Sequence, residues 1–278
     1  MMKELSQLQK IERSIHKKFR RELWRKFVEG VQRYELISTG DRIAVCVSGG
    51  KDSMLMAKLM QQLQRHSEVS FELVFLVMNP GYNEINFQKV VACATLLGIP
   101  IEVYNSDIFE IVTKTDRSPC YLCARMRRGF LYATAQKIGC NKIALGHHMS
   151  DVVETTLMGM LYGAQYQVMM PKLRSKNFAG MELIRPMYCI GEDAILAWKR
   201  YNGLSFIQCA CPLAENCNIF DANGGTSTRL VVKNLLANLK KENKDVEKSV
   251  FQSLQMVNLD TSIGYKLKGV EHSFLDDY

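Results

Sequence analysis

No apolar run in this 278-residue chain approaches the roughly twenty residues needed to span a bilayer. The amino-terminal stretch MMKELSQLQKIERS also lacks the apolar core of a secretory leader. Together these absences lead us to expect a cytoplasmic protein with no membrane partner. Internal repeats and low-complexity segments are missing too, which argues against a solenoid or a disordered chain. With no secretory signal, the nine cysteines are poor candidates for disulfides and better candidates, in part, for ligands of a metal or cluster.

Positive charge is present in excess and is unevenly placed. The net charge is +8, and residues 1–33 alone hold ten basic against four acidic side chains. Leu8, Ile11, Ile15, Phe19, Leu23, Phe27 and Val31 recur there at spacings of three and four, so the segment reads as an amphipathic helix with cationic flanks. Its stripe suits packing on its own domain or on a second copy, and a homodimer is expected. Its flanks suit nucleic-acid phosphates or, equally, plain solvation.

The chain then alternates between strands and helices. Near-continuous apolar runs at Ile43–Val47 and Phe71–Val77, and shorter ones at Ile101–Tyr104 and Lys142–Leu145, are separated by helical patterns at Ser53–Arg65, Phe87–Leu97 and Met126–Gly139. Such alternation predicts an α/β fold with a doubly wound parallel sheet, whose ligands bind beyond the carboxyl ends of its strands. Two motifs lie at such ends. Ser48-Gly49-Gly50-Lys51-Asp52-Ser53 follows the first strand and reads as a phosphate cradle, with glycines for close backbone approach, a helix amino terminus and a lysine. It is not the nucleoside-triphosphatase loop GxxxxGK[ST], because Val45 stands where that loop needs glycine and Asp52 where it needs a hydroxyl. Gly146-His147-His148 follows the later strand, and Asp151 beyond it is placed to hold Mg2+, to orient a reacting group, or simply to compensate a helix amino terminus. Both histidines are expected to pack near the nucleotide rather than to bind metal.

Residues 169–180 read as a basic loop, residues 191–201 as a helix, and Thr228 to Asn258 as a charged helical tail. Three parts are expected: a basic helix at 1–38, a nucleotide-binding domain at 39–205, and a cysteine loop with a helical extension at 206–278. Cys120-Tyr121-Leu122-Cys123 presents two thiols at a spacing that binds one metal centre from a single turn. Cys209, Cys211 and Cys217 could complete the site from a distant loop, with zinc and iron–sulfur both open. Cys46, Cys93, Cys140 and Cys189 lie in apolar contexts and read as small buried hydrophobes.

The arrangement SGGKDS after an apolar strand resembles the PP-loop ATP pyrophosphatases, which cleave ATP between its α- and β-phosphates. More specifically, GDRIAVCVSGGKDS, CYLCARMRRGFLYATA, KIALGHH with Asp151, Leu161-Tyr162-Gly163, the MPKL of Met170 to Leu173 and the IRPMYC of Ile184 to Cys189 resemble the tRNA 2-thiocytidine synthetase branch. The resemblance runs from about residue 8 to residue 212. It implies the PP-loop, HUP-like fold and an ATP site at Ser48, Gly49, Gly50, Lys51, Asp52, Ser53, Gly146 and His147, with Lys51, Asp52 and Asp151 in the chemistry and Mg2+ as a helper. It also implies a 4Fe-4S cluster on three cysteines with one iron open for sulfur, ligated by Cys120, Cys123 and Cys211, with Cys209 as the runner-up. The tRNA backbone would be held by Arg125, Arg127 and Arg128, and a sulfur donor such as a cysteine desulfurase would be a partner. The expected reaction adenylates cytosine O2 and forms 2-thiocytidine. Rival readings are a ligase or amidotransferase with structural zinc, a nucleotide- and cluster-sensing protein without turnover, and thiolation of another nucleoside or a small molecule. Met78-Asn79-Pro80-Gly81 departs from the family's longer, aspartate-bearing loop.

Overall fold

The computed structural model describes residues 5–114, 119–207 and 228–278. Five parallel strands and one antiparallel edge strand form the central sheet, in the order β3-β2-β1-β4-β6-β5. They are β1 (Arg42–Cys46), β2 (Glu72–Asn79), β3 (Ile101–Asn105), β4 (Lys142–Ala144), β5 (Lys172–Arg174) and β6 (Glu182–Ile184). The expected doubly wound sheet is therefore present. Its order reverses between β1 and β4, so the loops that leave these two strands border one crevice.

Alternate side chains of a strand face opposite sides, and the two faces hold separate cores. Ile43, Val45 and Val47 pack with α1 (Gln7–His16), α2 (Arg25–Arg33), α3 (Lys51–His66), α4 (Glu84–Leu96) and α8 (Glu192–Tyr201). Ala44 and Cys46 pack with α5 (Ile108–Thr113) and α6 (Pro119–Lys137). A third cluster joins α7 (Met149–Gly163) to α9 (Thr228–Glu242) and α10 (Val246–Ser253) through Val152, Val153, Val232, Leu236 and Phe251. Among the described residues no helix is long and apolar enough to cross a membrane.

The amino-terminal segment is not one α-helix. Between α1 and α2 lies a π-helical stretch at Arg20–Trp24. From Ile11 to Val31 the apolar residues recur every four positions, and each step of four overshoots an α-helical turn by roughly 40°. A wider π turn takes up that drift and keeps the stripe on one side. Ile11, Ile15, Phe19, Leu23, Phe27 and Val31 all enter the main core, so the stripe that suggested a second copy is covered by the chain's own fold.

Other boundaries moved for local reasons. α6 begins at Pro119, seven residues before the expected start at Met126, which puts the CxxC pair inside its first turns. Proline is favoured at a first helical position because its φ is preset and its missing N–H is not needed there. β5 forms within the expected basic loop and pairs antiparallel with β6, which inserts beside β4. The tail breaks into α9 and α10 at Asn243, whose side chain accepts from the Asp245 N–H at 3.0 Å. It continues into a hairpin of β7 (Gly264–Leu267) and β8 (Val270–Ser273).

Candidate active site

The loop after β1 is held open by its own side chains. Ser53 Oγ donates to the Gly50 carbonyl at 3.1 Å and accepts from the Ser48 N–H at 3.0 Å. With its single proton so placed, it must accept from Ser48 Oγ at 3.1 Å. Gly49 sits at φ +84°, and a Cβ there would lie 2.5 Å from Val90 and 2.7 Å from Ile207. Only glycine fits that place. Gly146, from the loop after β4, lies against the same turn, where a Cβ would sit 3.1 Å from the Ser53 nitrogen. Gly50 is the N-cap of α3 and offers no side-chain cap, which leaves the helix's first N–H groups for an anion.

A cavity of about 440 Å³ opens over this turn. Ser48, Gly50, Asp52, Ser53, Gly146, His147 and Asp151 line it from the strand ends. Ala124, Arg127, Arg128 and Leu131 line it from one face of α6. Arg125 is exposed on that helix, away from the cavity wall. Cys123 is half-buried beside the cavity-facing residues, and Cys120 lies one turn earlier on the same helix. Met78 reaches the wall from β2, whose end closes in a tight turn where Asn79 accepts from the Gly81 and Tyr82 N–H groups. Cys209 and Cys211 lie outside the described residues.

Beside the cavity stands a wall of four carboxylates. Asp151 accepts from the His148 N–H at 3.0 Å, capping α7, and the His148 ring reaches 3.4 Å from Asp151 and 3.6 Å from Asp52. Asp52 Oδ1 is buried with no hydrogen-bond partner. Lys51 turns from the loop toward this wall and bonds Asp52 at 3.0 Å and Glu192 at 3.1 Å. Burial works against the Lys51 ammonium, but Asp52 and then Glu192 outweigh it and raise its pKa. Burial opposes ionisation of Glu192 as well, yet hydrogen bonds from Lys233 and Lys51 pull its pKa down to about 2. His147 goes the other way: burial first, then the Arg185 charge, push it down to about 4, so the ring is neutral near pH 7.

Motif reading missed the two cations that α9 gives to this wall. Arg229 Nε donates to Glu154 at 2.9 Å, and a terminal nitrogen of Arg229 donates to Asp151. Lys233, one turn along α9, donates to Glu192 at 2.7 Å. No local pattern marks these residues. The only available signal was that α9 carries cations four apart.

The residues present fit the groups that the resemblance implies. Mg2+ keeps several waters and takes one or two carboxylates plus substrate phosphates, and the unpartnered Asp52 oxygen beside Asp151 meets that demand. Cysteine positions one helical turn apart on the helix that borders the cavity suit an iron–sulfur site, and the expected third ligand, Cys211 or Cys209, lies outside the described residues. Among the described residues, no group of three or more His, Cys, Asp and Glu is arranged to hold a metal by itself. Burial raises the thiol pKa of Cys46 to about 12 and of Cys189 to about 11, as suits inert packing residues.

Residues 15–211 match the PP-loop domain family. The tRNA-cytidine(32) 2-sulfurtransferase of Geobacter sulfurreducens is 34% identical over 81% of this chain and 85% of its own length. The chain belongs to the PP-loop family of tRNA 2-thiocytidine synthetases. The corresponding Polaromonas naphthalenivorans protein is 33% identical over 96% of this chain and 84% of its own. Among solved structures, the U34-tRNA thiolase NcsA from Methanococcus maripaludis, determined with its [4Fe-4S] cluster, shares the fold. It does so with a TM-score of 0.64 at 20% identity, over 88% of this chain and 80% of that one.

Proposed function

We propose that this protein is an ATP- and iron–sulfur-dependent tRNA sulfurtransferase that converts a cytidine of tRNA to 2-thiocytidine. The observation that carries the reading is that the phosphate loop and the CxxC helix α6 border one cavity, with Ala124, Arg127 and Arg128 facing Ser48, Gly50 and Ser53. Activation and sulfur transfer then share a single space.

In the first step, cytosine O2 bonds to the α-phosphorus of ATP. The bond from that phosphorus to the bridging oxygen breaks, and its electron pair leaves on pyrophosphate. The free N–H groups at the start of α3 bind the phosphates, and Arg127 and Arg128 oppose the charge that collects there. Asp52 and Asp151 would hold Mg2+, which would neutralise phosphate charge when bound. Neutral His147 offers a ring nitrogen, buried and unpartnered, to the nucleotide. In the second step, sulfur at the sulfide level bonds to C2, the C2–O bond breaks, AMP departs with the oxygen, and the sulfur proton is lost. Cys120, Cys123 and Cys211 would hold a 4Fe-4S cluster, which supplies the sulfur-carrying site when bound. Arg125, with Arg20, Arg25 and Arg33 of the amino-terminal segment, would hold the tRNA backbone.

Mass spectrometry of tRNA nucleosides from cells with and without the gene tests the substrate. Loss of 2-thiocytidine is expected, and an unchanged level would remove the assignment. Iron and sulfide analysis after anaerobic purification tests the ligands. Cys120→Ala, Cys123→Ala and Cys211→Ala should each lose iron, and full retention in the last variant would move the third ligand to Cys209.

A further inference from the structure

Arg229 occupies an unusual position for a structural ion pair. Its guanidinium is half exposed and lines both the cavity over the phosphate loop and the smaller one along the carboxylate wall. The helix beneath it is fixed, because Val232 and Leu236 of α9 are buried against Val152 and Val153 of α7. The side chain can therefore change partners while its backbone stays in place. Of the five N–H donors of a guanidinium, one is given to Glu154 and one to Asp151. The rest point to no protein acceptor among those bonds.

Charge makes a change of partner favourable. Asp52, Asp151, Glu154 and Glu192 face Lys51, Arg229 and Lys233 along the wall, so four anions meet three cations before any phosphate arrives. A triphosphate added to that set deepens the negative balance, and a cation of the wall that turns toward it adds to the charge that Arg127 and Arg128 offer from α6. Lys51 is held by two carboxylates and Lys233 by Glu192. Among these three cations, Arg229 is the one that lines the cavity holding Ser48, Gly50 and Ser53.

We propose that Arg229 is the phosphate-binding residue that the carboxyl-terminal helix brings to the ATP site. Its guanidinium turns from Glu154 onto the β- and γ-phosphates when ATP binds, and holds the pyrophosphate as it leaves. This rests on the reading of Ser48–Ser53 as an ATP site. It assigns a substrate contact to a helix that lies beyond the residues matching the PP-loop domain.

The test is calorimetric binding of a non-cleavable ATP analogue and of AMP to the full-length chain at constant magnesium. Arg229→Gln should weaken the analogue about tenfold or more, as loss of a charge-assisted hydrogen bond does, while AMP affinity stays within about threefold. The double variant Glu154→Gln/Arg229→Gln restores the local net charge, yet the analogue should stay weak because the donor is gone. Equal loss of both ligands would make Arg229 structural, and recovery in the double variant would mean that it only screens the carboxylates. Either result overturns the proposal, as does unchanged analogue binding in Arg229→Gln. Failure of the wild type to bind the analogue at all would instead remove the ATP reading on which the proposal rests.

Discussion

The two halves of the site are held together by different means. The phosphate loop is built from neighbours in sequence: Ser48, Gly50 and Ser53 bond one another within six residues, and Gly49 leaves no room for a side chain. The carboxylate wall is assembled from α3, α7, α8 and α9, with Arg229 reaching residues 75 and 78 positions away. One half is specified by shape and the other by charge balance. A shape-specified site fails when volume is added, whereas a charge-balanced one shifts by degrees as its partners or the pH change.

The largest effect should come from Gly49→Ala. Its Cβ would meet Val90 and Ile207 well inside contact distance at a positive φ, and overpacking with backbone strain costs about 2–4 kcal/mol. Denaturant unfolding should show that loss, and titration should show ATP binding gone. Retained binding would erase the contrast between the two halves.

Acid should act first on the cavity and then on the wall. His147 has its folded pKa lowered to about 4 from an ordinary value of 6.5. The unfolded chain therefore takes up this proton first, and stability that is complete above about pH 6.5 falls as the pH drops toward 4. Each tenfold difference in proton affinity between the folded and unfolded chain is worth about 1.4 kcal/mol, so that loss is at most about 3 kcal/mol. His147→Gln should flatten the stability profile across this window and leave it unchanged above pH 7. An unaltered slope would mean that the ring is not shielded as the structure shows.

The smallest effect should be Lys233→Ala. Glu192 keeps Lys51, so the loss at neutral pH should be about 1 kcal/mol or less. Glu192 stabilises the fold above its ordinary pKa of 4.5, and that contribution disappears as the pH falls toward its folded value of about 2. Without Lys233 the folded value rises, so the loss still begins near 4.5 but should be smaller and should be complete at a higher pH. A loss near that of Gly49→Ala would show the wall to be as rigid as the loop.

Much of this was legible in the sequence because the signals were local. Apolar runs ending in SGGKDS and GHH placed two loops at strand ends, and alternation with helices made the strands parallel. The short β5 and β6 escaped notice because Lys172–Arg174 and Glu182–Ile184 each carry a charged residue and no run of three apolar residues such as Ile143–Leu145. The π turn escaped because a four-residue spacing reads as helical over any short window. Arg127 and Arg128 were legible as cations, but which of them face the cavity depends on the phase of α6, and that phase was set by an earlier start at Pro119.

By itself, then, the sequence determined the sheet class, the phosphate loop and the pairing of that loop with a CxxC element, since each is a property of contiguous residues. Tertiary structure alone decided that the amino-terminal stripe is buried within the chain, that the CxxC helix lines the cavity over the phosphate loop, and that α9 supplies cations to Asp151, Glu154 and Glu192. The physical reason is range. Backbone propensity and steric fit act between neighbours and leave a pattern, whereas an ion pair across 75 residues needs only opposite charges and a fold that brings them within about 3 Å.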